Sequence, residues 1–403
     1  MKKIILGTIT LTAIFGLALF VVQAVAQVND GSGRKIVVFS GALNEAAKDE
    51  LIARAGGVKL KNLDLIGAKA VWLPDRSAAT KLAVSAGVVR IDDDVAVEAL
   101  MRGRISAKPA KSGKPVPPQP AEVLPWGVDR IDAELVWPSG NTADPIKVGI
   151  IDTGISNKHP DLLANVQGGI NTINPRKSWN DDNGHGSHVA GIVAGLDNDI
   201  GIIGVGPAID LYAIKVLDKN GSGFLSDVIE GIQWAVANNI QVINMSLGTA
   251  SDVESFHDAV IAAKNAGVVT VAAAGNSGGS VIFPAAYPEA IAVSATDQNN
   301  VIASWSSRGP EVDLAAPGVS IYSTYKGTGY TTLSGTSMAA PHVAGSAALV
   351  LNIAVGAYDV DADGKWDPDE VQQKLQDRAV DLGVAGFDIF YGWGLVNAFA
   401  ATQ

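Results

Sequence analysis

The sequence predicts an α/β fold, a doubly wound parallel sheet preceded by a small α+β module of ferredoxin-like type. Three observations lead there. Strand-like runs at 146–151, 211–217, 242–247, 268–274 and 290–295 are almost wholly apolar and do not alternate, as strands buried on both faces read. Helix-like segments at 186–196, 225–239, 254–266 and 337–354 fall between or after them, and a βαβα order calls for parallel strands covered on both faces. Ahead of these, residues 34–100 hold two helix-like segments among short strand-like runs, which is the α+β signature.

The N-terminus reads first as a targeting segment. Met1-Lys2-Lys3 is basic, residues 4–22 are apolar, and Ala24-Val25-Ala26 offers a small-x-small cleavage site, so 1–26 is a signal peptide and the product is expected to be secreted, outside the cell. An uncleaved membrane anchor is the alternative. The chain has no cysteine, so packing or bound ions must supply the stability that disulfides give many extracellular proteins. A net charge of −11 argues against nucleic acid and anionic membrane as partners.

Within 34–100, residues 35–39 are strand-like, 44–55 helix-like, 68–73 strand-like, 77–86 helix-like and 87–91 strand-like. A unit this short is marginal alone. Residues 101–121 form a linker; 106–120 carry five prolines and no apolar periodicity, which implies extended chain. Residues 122–403 are the alternating α/β part.

One segment there carries most of the chemistry: Gly335-Thr336-Ser337-Met338-Ala339-Ala340-Pro341-His342. Ser337 opens a run of small and apolar residues that reads as a buried helix, and a helix N-terminus favours developing negative charge. Such a serine is a candidate nucleophile if a base and an orienting acid exist, and otherwise an N-cap. The candidate base is His185, flanked by Gly184 and Gly186 and followed by a second small-residue helix. His185 and His188 could instead share a metal, but no Glu-x-x-His supports that, and His188 reads as structural. The candidate acid is Asp152, after the run 146–151, at the carboxyl edge where such sheets place functional groups. It can fix the tautomer of His185 and stabilise the imidazolium. Gly275-Asn276-Ser277-Gly278-Gly279 matches the Gly-x-Ser-x-Gly elbow, but an esterase built on Ser277 needs a later acid and histidine. The one later histidine, His342, lies inside the Ser337 helix.

The order Asp152, His185, Ser337 comes with Leu124-Pro125-Trp126-Gly127, Ile151-Asp152-Thr153-Gly154-Ile155, Asn183-Gly184-His185-Gly186-Ser187-His188, Asn244-Met245-Ser246-Leu247-Gly248 and Ala272-Ala273-Ala274-Gly275-Asn276. From about residue 121 to the C-terminus this resembles the subtilisin-like serine proteases, the subtilases. The resemblance implies a secreted, monomeric endopeptidase that cleaves proteins and peptides through an acyl-enzyme on Ser337. It implies that the Asn276 amide donates to the oxyanion, with the Ser337 backbone N–H as second donor. Ser222, Gly223, Ser246, Leu247 and Gly248 would bind an extended substrate strand, and Ile282 would stand at the pocket floor, disfavouring large aromatic residues. Residues 34–100 would be an intramolecular chaperone and inhibitory propeptide, cut at Glu98-Ala99-Leu100 or within the linker. A catalytically dead binding relative and a calcium-dependent module of the dockerin kind are the competing classes, although every triad residue is present and the chain shows one acidic loop where dockerins carry two.

Two calcium sites are expected. Asp359, Asp361, Asp363, Asp367 and Glu370 stand at positions 1, 3, 5, 9 and 12 of an EF-hand-like loop, with Gly364 at 6 and the Lys365 carbonyl as a further ligand. A solvated acidic loop is the plain alternative. The second site is implied by the resemblance alone: Glu122, Asp161, Asn198 and the carbonyls of Leu196, Ile200 and Ile202. Calcium (Ca2+) is the one cofactor expected.

Overall fold

The computed structural model describes residues 33–100 and 119–403. The 1–26 signal segment and most of the 101–121 linker lie outside the described residues.

The N-terminal unit runs β1 (Gly33–Phe39), α1 (Glu45–Arg54), β2 (Val58–Leu63), β3 (Ala68–Leu73), α2 (Arg76–Ala83) and β4 (Val88–Asp93). This βαββαβ chain forms an antiparallel sheet in the order β2-β3-β1-β4, the ferredoxin-like arrangement. Both helices are started by carboxamide or carboxylate caps: Asn44 accepts from Ala47 N and Asp75 from Ala78 N. Val37, Phe39, Ile52, Val71, Leu73 and Leu82 fill the space between sheet and helices. β2 is the strand that sequence reading missed. It is an edge strand, largely exposed and rich in lysine, so it lacks a buried strand's apolar run. After β4, β5 (Ala96–Ala99) leaves this sheet altogether.

The larger body continues with α3 (Trp126–Arg130), β6 (Lys147–Asp152), β7 (Val166–Asn171), α4 (His185–Ala194), β8 (Asp210–Lys215), β9 (Ser222–Phe224) and α5 (Leu225–Ala237). Then follow β10 (Val242–Met245), β11 (Leu247–Gly248), α6 (Glu254–Asn265), β12 (Val269–Ala273), β13 (Ala290–Thr296) and β14 (Leu314–Pro317). β15 (Ile321–Thr324) and β16 (Tyr330–Leu333) form a small hairpin, and α7 (Thr336–Leu351), α8 (Pro368–Asp377) and α9 (Ala398–Ala401) close the chain. The main sheet has seven parallel strands in the order β14-β13-β12-β10-β6-β8-β7. Five were legible in the sequence. The two that were not are the edges: β7 carries two glycines, and β14 is four residues long and ends in proline.

Chain order departs in opposite directions from the β6–β10 pair, so the topological switch point lies between these strands, where a crevice opens at their carboxyl ends. Helices α4 and α7 pack one face of the sheet, and α5 and α6 the other. α7 is buried from Thr336 to Val350. Its alanines pack in the core against the strands, and Gly345 lies against Val205, where a Cβ would not fit, which explains the small-residue run in the sequence. Among the described residues no helix is long and apolar enough to cross a membrane.

Candidate active site

The last residue of β6, Asp152, is fully buried. Its carboxylate accepts from Thr153 N at 2.7 Å and faces His185 Nδ1 at 2.8 and 2.9 Å. With Nδ1–H donated to the acid, Nε2 is the ring atom left to exchange protons; it is buried and without a hydrogen-bond partner among the described residues. His185 is the first residue of α4, entered through Gly184 at φ +117°. Gly186 is required by proximity, since a Cβ there would run into the Gly154 carbonyl and come within 3.1 Å of Asp152 Oδ1.

A second buried carboxylate ties these two segments together. Asp181 accepts from the backbone N–H groups of Asn183, Gly184 and Ser187, and from the hydroxyls of Ser187 and Thr153. Thr153 Oγ1 in turn accepts from Gly186 N at 2.9 Å. Burial pushes the Asp181 carboxyl up from its ordinary value, against the pull of those donors. Lys215, at the end of β8, donates to the Thr153 and Leu217 carbonyls and pairs with Asp182. Sequence reading found Asp152 and His185 but not Thr153, Asp181 or Lys215. Short polar residues beside glycines look like ordinary turn formers until their partners are known.

Ser337 is the second residue of α7, on the same carboxyl edge. Its hydroxyl donates to the Leu100 carbonyl at 2.6 Å and approaches the Ser246 carbonyl at 3.0 Å. Asn276 Nδ2 donates to the same Leu100 oxygen at 2.7 Å. Thr336 sets that amide's orientation: its N–H and its hydroxyl both donate to Asn276 Oδ1, at 2.9 Å each. Here the second donor to the Leu100 oxygen is the Ser337 hydroxyl, where sequence reading had expected the Ser337 backbone N–H.

The chain that presents Leu100 lies as a strand in the crevice. β5 runs antiparallel between β9 and β11, with Val97 opposite Gly223, Glu98 opposite both Ser222 and Gly248, and Ala99 opposite Leu247. Ala99 N donates to the Gly221 carbonyl at 2.9 Å, and Leu100 N to the Ser246 carbonyl at 3.2 Å. Ser222, Gly223, Ser246, Leu247 and Gly248 are thus brought together on one extended segment. Ile282 is half-buried behind them; its Cδ1 lies 2.7 Å from where a Cβ on Gly248 would stand. The parts that acyl transfer uses are a buried acid–histidine pair and, on the same sheet edge, a carbonyl held by an amide and a serine hydroxyl. His185 Nε2 and the Ser337 hydroxyl are not hydrogen-bonded to each other, the hydroxyl being turned to the Leu100 and Ser246 carbonyls.

The other readings resolve differently. Ser277 Oγ lies 3.4 Å from Ser307 Oγ and accepts from Gly279 N, while His342 Nδ1 is 2.8 Å from the Met338 carbonyl inside α7. His188 Nε2 is held by the Ile321 and Thr331 carbonyls at 3.0 and 3.2 Å, and burial lowers its pKa to about 3. It is a neutral, structural ring.

Of the EF-hand-like residues, the carboxylates of Asp359, Asp361 and Asp363 converge, with oxygens all within 4.8 Å of one another. Gly364 takes φ +77°, as the turn requires. Glu370 instead accepts from Val360 N and Asp367 N, and Asp367 caps α8. The second group is compact. Asp161 is fully buried; Oδ2 accepts from Ile202 N at 2.9 Å and Oδ1 has no hydrogen-bond partner among the described residues. Glu122 accepts from Asn198 N at 2.8 Å, and Asn198 Oδ1 from Ile200 N at 3.1 Å. Burial, with Glu122 nearby, pushes Asp161 up to about 6. A buried, partnerless carboxylate oxygen beside a second carboxylate fits a hard cation with oxygen ligands.

Comparison with known proteins agrees with this geometry. The family model Peptidase_S8, described as the subtilase family, matches residues 143–394. Subtilisin Savinase of Lederbergia lenta is 46% identical over 284 residues, 70% of this chain and 100% of that protein. An alkaline protease of Shouchella clausii is 46% identical over 284 residues, 70% and 71% of the two chains. Subtilisin E of Bacillus subtilis (strain 168) is 38% identical over 403 residues, 98% of this chain and 97% of that one.

Proposed function

The chain belongs to the subtilase family and is a serine endopeptidase, and on that premise we propose that Ser337, His185 and Asp152 are its nucleophile, base and orienting acid. Ser337 attacks a peptide carbonyl while His185 Nε2 takes its proton. Asp152 holds the ring through Nδ1 and stabilises the imidazolium, which then protonates the leaving amine. Asn276 steadies the oxyanion, oriented by Thr336. Water hydrolyses the acyl-enzyme by the reverse sequence of proton transfers.

The observation that carries this reading is the Leu100 carbonyl, seated between Asn276 Nδ2 and Ser337 Oγ at the end of a strand-paired segment. It is the position of a cleaved acyl product. It supports self-processing after Leu100, and a preference for an aliphatic residue on the acyl side, consistent with Ile282 filling space behind Gly248. Residues 34–100 then act as chaperone and inhibitor, and 122–403 as a monomeric peptidase domain. A signal peptide at 1–26 directs the precursor out of the cell, and the substrates are proteins and peptides. Calcium is held by the Asp161 group and by the acidic loop, where it supplies charge neutralisation and rigidity rather than chemistry. The Ser337→Ala precursor, expressed alone, should stay uncut and inactive, and N-terminal sequencing of the wild-type product should begin at Met101. Normal processing of the alanine variant would remove the assignment.

A further inference from the structure

Two anchors of one chain are engaged at the same time, at opposite ends of α4. At the N-terminal end, the Leu100 carbonyl is seated by Asn276 and Ser337. Ala99 and Asn183, two residues ahead of the helix, lie within 3.4 and 3.6 Å of where a Cβ on Gly221 would stand, which places the end of β5 there. At the C-terminal end, past Ala194, residues 120–123 are stitched to the 198–202 segment. Gly201 N donates to the Pro120 carbonyl at 2.9 Å, Glu122 N to the Asp199 carbonyl at 3.2 Å, and Val123 N to the Gly201 carbonyl at 3.0 Å. Ala121 and Val123 form β-bridges with Ile200 and Ile202. This stitching brings the Glu122 carboxylate to Asn198 N, beside the segment whose Ile202 N donates to Asp161. Helix α4 has 10 residues and is about 15 Å long. Residues 101–118 join the anchors, 18 residues whose extended reach is ~60 Å. Two intervening residues would reach only ~10 Å and would force one anchor to let go.

We propose that the oxygen group of Glu122, Asp161 and Asn198 is already assembled in the uncut precursor. Calcium binding there belongs to folding and precedes self-processing, which neither builds the site nor alters it. The inference rests on reading that group as a calcium site and Leu100 as the point of the cut. The bonds that seat residues 120–123 are all made with 198–202, so releasing residues 33–100 removes none of them. The buried Asp161 carboxylate, with Oδ1 lacking a hydrogen-bond partner among the described residues, faces the same need for a cation before the cut as after it. An ion that binds the folded precursor stabilises it by mass action. The body therefore becomes active only when the 196–202 segment is already held.

The test is calorimetric titration of calcium-stripped protein with Ca2+, in an Asp361→Ala with Asp363→Ala background that silences the acidic loop. The full-length Ser337→Ala precursor, which stays uncut, is compared with the self-processed chain, its serine blocked by an irreversible inhibitor. We expect one ion per chain in both, with Kd values within about threefold, since no coupling to the cut is expected. Adding Glu122→Ala should weaken binding by a similar factor in both, and calcium should raise the melting temperature of the uncut precursor. Binding at least ~10-fold weaker in the precursor than in the processed chain would overturn the inference alone. So would a Glu122→Ala effect confined to the processed chain. Absence of binding in both would overturn the calcium reading of this group, and the inference with it. A first cut after Glu122 would overturn the reading of Leu100 and likewise remove the inference.

Discussion

At the scale of single residues, the candidate site depends on which end of the Asn276 amide faces the crevice. Thr336 decides this by donating twice to Oδ1, leaving Nδ2 for the carbonyl in front of it. In subtilisin, loss of the corresponding amide lowers turnover by about 10²–10³, a magnitude carried over here from that relative for Asn276→Ala. Thr336→Val removes only one of two positioning bonds, so kcat should fall by about tenfold, with KM within about twofold. Steady-state kinetics on the processed enzyme checks both, and an unchanged kcat for Thr336→Val would mean the amide needs no such brace. Asp152, His185, Ser337 and Asn276 were legible because each sits in a distinctive run of glycines and small apolar residues. Thr336, Thr153 and Asp181 were not, because a side chain whose work is hydrogen bonding leaves no periodic trace. What identifies them is a partner far away in sequence, as Thr153 and Asp181 are to each other.

At the scale of elements, α4 shows how burial makes the fold sensitive to acid. His188 is enclosed in that helix as a neutral ring, with a pKa near 3 against an ordinary 6.5, lowered by desolvation and by the proximity of His185. A histidine depressed in this way favours folding most above its unfolded pKa, and that contribution is lost as pH falls from about 6.5 toward 3. His188→Gln cannot titrate. In a Ser337→Ala background, which removes self-digestion, its melting temperature should lie below the parent's at pH 7.5, with the gap narrowing by pH 4.5. A constant gap would mean that the ring is not what titrates. α7 makes a steric prediction. A Cβ on Gly127 of α3 would strike His342 Nε2, and the Pro317 side chain lies 3.1 Å away. Gly127→Ala should therefore cost about 1–3 kcal/mol, read from chemical denaturation. The helices themselves were easier to read than the strands. Apart from their histidines, α4 and α7 are small or apolar residues, while β2 and β7, at sheet edges, have neither strict alternation nor an apolar run.

At the scale of the whole molecule, the layered architecture followed from strand and helix alternation, whereas the joint between the two units did not. β5 pairs with no strand of the N-terminal sheet and is ordered by β9 and β11, so no local pattern could announce it. The larger body poses the matching question of what would hold it were the first hundred residues removed. With no disulfide available, the oxygen-rich groups at Asp161 and at Asp359–Asp363 are the places where an ion could substitute. They sit differently in the fold. Asp161 is buried, and the 196–202 segment folds back over it, with Leu196 N on the Asp161 carbonyl and Ile202 N on its carboxylate. The acidic loop is exposed and leads into α8, whose Gln372 and Gln376 both donate to half-buried Asp313 beside β13. An ion at 100 times its dissociation constant adds about 2.7 kcal/mol, and a domain of this size shifts by roughly 2–4 °C per kcal/mol. Chelator should thus lower the melting temperature of the processed, inhibited enzyme by ~5–10 °C per occupied site. The double variant Asp361→Ala with Asp363→Ala should lose only the loop's share, leaving a residual chelator response from the Asp161 group. No response in either protein would mean that neither oxygen cluster holds an ion, and that packing alone keeps the body folded.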